Sequence, residues 1–184
     1  MRAGILIALA ATALSSPAFA QSTGTVDISG SVADRCLFTD DSETIILGEL
    51  ARPGADGNAG RLAEGQVDNE TATLTGWCNG TAATMTVEAI ALTNSDFTGT
   101  APNGFETRID FTATAVANGE SATDDSIEGG AGDPVDVGLF TGSVVVTLSD
   151  SATPGGGLLV AGDYSGQVVV TLTPNVSFNL PTES

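Results

Sequence analysis

The chain contains no histidine and no lysine, and its 184 residues carry five arginines against 23 acidic side chains. Without histidine, neither Ser-His-Asp nor Cys-His catalysis can be assembled, and imidazole cannot ligate a metal. The two cysteines, Cys36 and Cys78, are too few to build a zinc site between them. Without lysine, the glycine-rich stretches cannot act as phosphate loops. A formal charge of −18 excludes nucleic acid and anionic membrane surfaces as natural partners, since both require a basic patch. Aromatic residues are scarce, with one Trp and one Tyr. The carboxylate pairs Asp40/Asp41 and Asp124/Asp125 are the remaining candidates for acid–base chemistry, yet nothing in the sequence positions them. No enzymatic activity and no cofactor is therefore expected.

What is present begins with an export signal. Arg2 precedes an apolar run from Gly4 to Leu14, and Ala18-Phe19-Ala20 supplies small residues for cleavage. The run is too short to span a bilayer, so residues 1–20 read as a signal peptide rather than an anchor. No later segment is long and apolar enough for membrane insertion. The mature chain from Gln21 has 164 residues, enough for one domain, and four Arg against 23 acids give it a charge of −19. Such acidity serves solubility and mutual repulsion in a secreted protein. In an oxidising compartment Cys36 and Cys78 are expected to form a disulfide. They lie 42 positions apart, and closing such a loop stabilises by about 4 kcal/mol in the chain-entropy model.

Patterned segments are rich in Thr, Val and Ala and alternate with a period of two, the mark of half-buried strands. Val26, Ile28, Gly30 and Val32 alternate with polar residues immediately after the leader. Residues 44–48 read as a short strand and residues 51–68 as loop. Residues 71–92 read as a hairpin around Asn79-Gly80. Arg108 to Ala115 alternates cleanly. Thr141-Gly142-Ser143-Val144-Val145-Val146-Thr147-Leu148 recurs as Ser165-Gly166-Gln167-Val168-Val169-Val170-Thr171-Leu172, so two strands should present similar faces to one core. Two copies are too few for a solenoid. Strands spaced by turn signals without a helical pattern predict an all-β, immunoglobulin-like β-sandwich.

Residues 117–138 read as a long acidic surface loop. Asp124, Asp125, Glu128, Asp133 and Asp136 offer hard oxygen ligands, so calcium is the one metal with candidates, although no EF-hand or nonapeptide spacing is present. Trp77 reads as a core or disulfide-packing residue, with exposed ligand stacking as the alternative. Tyr164 reads as a strand-start residue, with a tyrosine corner as the sharper alternative.

The run Gly24-Thr25-Val26-Asp27-Ile28-Ser29-Gly30-Ser31-Val32, then Cys36, Ile45, Leu47-Gly48 and Cys78, resembles chaperone–usher pilin subunits of the type 1 fimbrial kind. Gly162-Asp163-Tyr164-Ser165-Gly166 and its Val-rich strand resemble the end of pilin-like and spore-coat-U-like domains. The likeness covers residues 24–92 well and 139–174 loosely. It implies an incomplete sandwich over residues 35–175 that lacks its last strand, preceded by an N-terminal extension at 21–34. In such a subunit Val26, Ile28 and Val32 would insert into a neighbour's groove, with Gly30 allowing close approach. The implied partners are identical or related subunits, a periplasmic chaperone and an outer-membrane usher. The implied destination is a fimbrium or coat at the cell surface, with cell adhesion as its use. Two features depart from the family pattern: the acidic stretch 117–138, and a tail at 176–184 in which Val176, Phe178 and Leu180 alternate before Pro181. If that tail completed the sandwich, the protein would instead be a self-contained secreted binding module, with calcium at the acidic loop.

Overall fold

Alternation of β-branched and small residues dominates the architecture, because each such segment has one face to bury. A computed structural model of the chain describes residues 22–175. The expected signal peptide at 1–20 and the alternating tail at 176–180 lie outside the described residues. The chain divides into two units, Met1–Val32 and Ala33–Ser184. In the first, residues 22–32 form no strand, and Val26, Ile28 and Val32 are 85%, 93% and 85% exposed. The alternation read there as a strand therefore has no ladder partner among the described residues.

The second unit is an all-β sandwich of the immunoglobulin-like kind. Its strands are β1 (Cys36–Asp40), β2 (Thr71–Cys78), β3 (Thr84–Asn94), β4 (Phe105–Glu106), β5 (Arg108–Ala117), β6 (Glu120–Asp125), β7 (Val135–Asp136), β8 (Phe140–Ala152), β9 (Leu158–Leu159) and β10 (Tyr164–Thr173). The ladder runs β1-β2-β8-β5-β3-β10, with β6 paired to β5 and β7 to β3. β5 links the two layers. Residues 110–116 pair with β8, whereas Ile109 and Arg108 pair with Leu92 and Thr93 of β3. β4 and β9 form a separate parallel pair. Between the layers lie Met85, Val87, Ile109, Phe111, Ala113, Ala115, Val144 and Val146, all buried.

Several sequence expectations need correction. Residues 71–92 are not a hairpin: β2 pairs with β1 and β8, and β3 with β10, β5 and β7. Neither Asn79 nor Gly80 has the positive φ of a tight hairpin turn. Instead Asn79 Oδ1 accepts from the Arg35 amide at 2.5 Å, and its Nδ2 donates to Ala33 O at 3.1 Å. The segment thus crosses from one layer to the other. The acidic stretch 117–138 is not one loop. Asn118 and Gly119 take φ of 53° and 84°, the left-handed pair that a two-residue hairpin demands, and β5 continues directly into β6. Residues 44–48 form no ladder, although Ile45 and Leu47 still pack on the core.

Trp77 faces away from the core. Cys78 is buried, so its neighbour on the strand must point outward, and Trp77 pairs with Leu37 across the ladder. Tyr164 is more than a strand-start residue. Its hydroxyl lies 2.9 Å from Val160 O and 3.1 Å from Glu106 O, which is the backbone tie of a tyrosine corner.

Candidate functional site

The two copies of the repeated strand occupy different positions in the sheet. In β8, Val144, Val146 and Leu148 face the core and are 0%, 3% and 5% exposed. Their counterparts in β10, Val168, Val170 and Leu172, pack on the same core but are only half-buried. The sequences of the two strands are nearly alike, so the difference is positional. β8 lies between β2 and β5, whereas β10, among the described residues, ends the ladder and pairs with β3 alone.

Beside β10 lies an open groove of about 580 Å3. One wall is Gly166 to Val170 of β10, and the other is Asp41 to Ile45 with Leu47. The floor is apolar, made by Leu74, Leu92, Phe111, Val146 and Leu148. Segment 41–48 carries no strand assignment, so both walls present backbone that is not used in a ladder across the groove. At the β1 end, Phe38 and Leu172 converge over Gly76. They lie within 3.1 Å and 3.3 Å of the position a Cβ would take there, and they bound the opening.

At the opposite end, Gly166 is a steric necessity. A Cβ there would stand 2.6 Å from Ile90 O and 3.0 Å from Ala91 O, which no real side chain tolerates. The ladder register also shifts between Ser165 and Gln167. β10 therefore offers the groove no side chain at this point and leaves space above Leu92 and Phe111. The only titratable groups on the lining are Asp41 and Glu43, both on the non-ladder wall. The groove thus combines an apolar floor with walls of backbone that carry no ladder across it among the described residues.

The disulfide sets the position of the non-ladder wall. Cys36 and Cys78 are bonded and stand directly opposite in the β1–β2 ladder. Among the described residues β1 has no other ladder partner, so this crosslink anchors the strand that leads into 41–47.

The acidic candidates are only partly brought together. Asp124, Asp125, Glu128 and Asp133 border a polar depression of about 450 Å3 beside Gly129 to Gly132. Asp136 lies on β7 outside it. Two of these carboxylates already have structural work. Asp124 Oδ2 accepts from the Ala89 amide at 2.8 Å, and Asp125 Oδ1 accepts from the amides of Ile127 and Glu128 at 2.9 Å and 3.3 Å. Among the described residues no group of three or more Cys, Asp or Glu is arranged to hold a metal ion, and none of the described helices is long and apolar enough to cross a membrane.

The groove could not be read from the sequence, because its walls come from segments about 120 residues apart (41–47 and 166–170). The repeat alone implies two strands with similar faces and does not say which of them lies at an edge. Comparison of the chain with protein-family models, with curated protein sequences and with solved structures finds no match in any of the three.

Proposed function

We propose that this protein is a structural subunit of a bacterial surface fibre or coat, assembled by strand donation between copies. The observation that carries the reading is the pairing of an unfilled apolar groove with an unused alternating segment on one chain. Val168 and Val170 are half-buried beside the open groove, and Val26, Ile28 and Val32 lie exposed with no ladder partner among the described residues. An added strand would hydrogen-bond the free edge of β10 and bury its apolar side chains on the groove floor. The donor belongs to one copy and the groove to the next. Such head-to-tail contacts do not close and so build filaments. The groove would be covered during export by a periplasmic chaperone, and an outer-membrane usher would pass subunits to the surface.

Completion of the sandwich by the tail at 176–184, which lies outside the described residues, is the competing reading.

The test is light-scattering chromatography and unheated SDS gels on the oxidised mature chain, beside a variant lacking residues 22–32. The expected result is a ladder of SDS-resistant multimers that disappears in the deletion, while the deleted chain still melts cooperatively. A monodisperse wild-type monomer, or a deletion that unfolds the domain, would overturn the proposal.

A further inference from the structure

The sandwich has two seams where the edges of its layers meet. One is the groove between β10 and residues 41–47. The other lies between β3 and β6, and it is closed. Alternate residues of a paired strand turn their backbone N–H and C=O groups to the same edge, so Ala83, Met85, Val87 and Ala89 present theirs to this second seam. Each has a partner there. Ala83 O accepts from the Val137 amide at 2.8 Å. Met85 pairs with Val135 of β7. Val87 O accepts from the Gly132 amide at 2.8 Å. The Ala89 amide donates to Asp124 Oδ2 at 2.8 Å. Beyond it β5 takes over at Leu92 and Thr93. Backbone supplies all of these partners except one: Asp124 reaches across from β6 with its side chain.

Gly132 makes this closure possible. A Cβ there would collide with Thr123 O and stand 3.3 Å from the Asp124 Cβ, so a glycine is needed for the segment to lie on β6 while its amide reaches β3. The glycine-rich stretch beside the acidic residues thus has a packing role: it seats Asp124 in the seam. The seam matters because a strand edge with unpaired backbone is a template for another strand. This chain carries a candidate donor of its own, with Val26, Ile28 and Val32 exposed. An open second seam would give each subunit two acceptors for one kind of donor. A head-to-tail contact with one acceptor extends a single line of subunits, whereas two acceptors per subunit would let the line branch.

We infer that Asp124 is a latch: its carboxylate oxygen takes the one position along this edge of β3 that no backbone acceptor fills, closes β3 to a donor strand and leaves acceptance to the groove. The consequence for assembly rests on the fibre reading above, but the closure of the seam does not, so the two separate experimentally.

The experiment compares the full mature chain with Asp124→Ala, which removes the acceptor, and with Asp124→Asn, which keeps an acceptor oxygen and drops the charge. Readouts are residue-resolved amide hydrogen exchange and the form of the assembled material by electron microscopy. In wild type and in Asp124→Asn the Ala89 amide is expected to be protected like that of Met85, and fibres are expected to be unbranched. In Asp124→Ala the Ala89 amide is expected to exchange about tenfold faster, and fibres to branch. Unchanged exchange at Ala89 in Asp124→Ala would overturn the latch, and faster exchange with unbranched fibres would overturn its role in assembly. Asp124→Asn behaving as Asp124→Ala would also overturn it, because the charge rather than the acceptor would then be what matters. Should Asp124→Ala fail to fold, the wild-type amides decide: Ala89 exchanging as fast as an exposed loop amide refutes the latch, and protection matching Met85 supports it. Absence of fibres from wild type would overturn strand donation, and the exchange at Ala89 would still judge the seam.

Discussion

Replacing Ile28 by alanine separates an intermolecular role from an intramolecular one. Ile28 is 93% exposed and makes no ladder contact, so within one molecule the substitution removes nothing that is buried. Its effect on the melting of a monomer should stay within about 0.5 kcal/mol, the usual range for surface changes. If the side chain is instead buried in a neighbour's groove, the substitution deletes three carbon groups from an apolar contact, each worth about 0.8 kcal/mol. That sum is about 2 kcal/mol, or roughly a 30-fold faster loss of subunits from the fibre. The assay has two arms. One follows dissociation of SDS-resistant multimers with temperature. The other follows urea denaturation of the chain with its donor segment unable to engage. Unchanged multimers would refute the reasoning. So would a monomer destabilised by about 2 kcal/mol, because Ile28 would then be part of its own domain's core.

Further outcomes follow from other contacts. Replacing both Cys36 and Cys78 by serine opens the loop of sequence separation 42 and should lower unfolding stability by about 4 kcal/mol, measured by urea denaturation of the oxidised protein; an unchanged midpoint would count against a stabilising crosslink. Tyr164→Phe removes the hydroxyl tie to Val160 O and should cost about 1 kcal/mol in the same assay, with no loss if water replaces the bond fully. Gly166→Ala forces a Cβ against Ile90 O. It should destabilise by about 1–3 kcal/mol and broaden the amide spectrum at residues 89–92; a native spectrum would show that β10 has room to shift.

How much of this was legible in the sequence depends on the range of the interaction involved. Alternation alone identified the strand at Arg108–Ala115, which lies within β5, and the two copies of the Gly-x-Val-Val-Val repeat, because side-chain period is a property of the local backbone. Absence of histidine and lysine bounded the chemistry without any fold. The disulfide was expected because two cysteines in an exported chain seldom stay free, and it is present between β1 and β2. Which strands pair was not legible. Asn79-Gly80 has the residues of a tight hairpin turn and instead spans the layers, whereas Asn118-Gly119 makes that turn. The same dipeptide chose differently because Asn79 is held by the backbone of Arg35 and Ala33, contacts made by residues more than forty positions away. Likewise, only the ladder order placed one copy of the repeat in the middle of a sheet and the other at its edge, which is what opens the groove. Local sequence specifies that a strand has an apolar face; the tertiary structure decides what covers it.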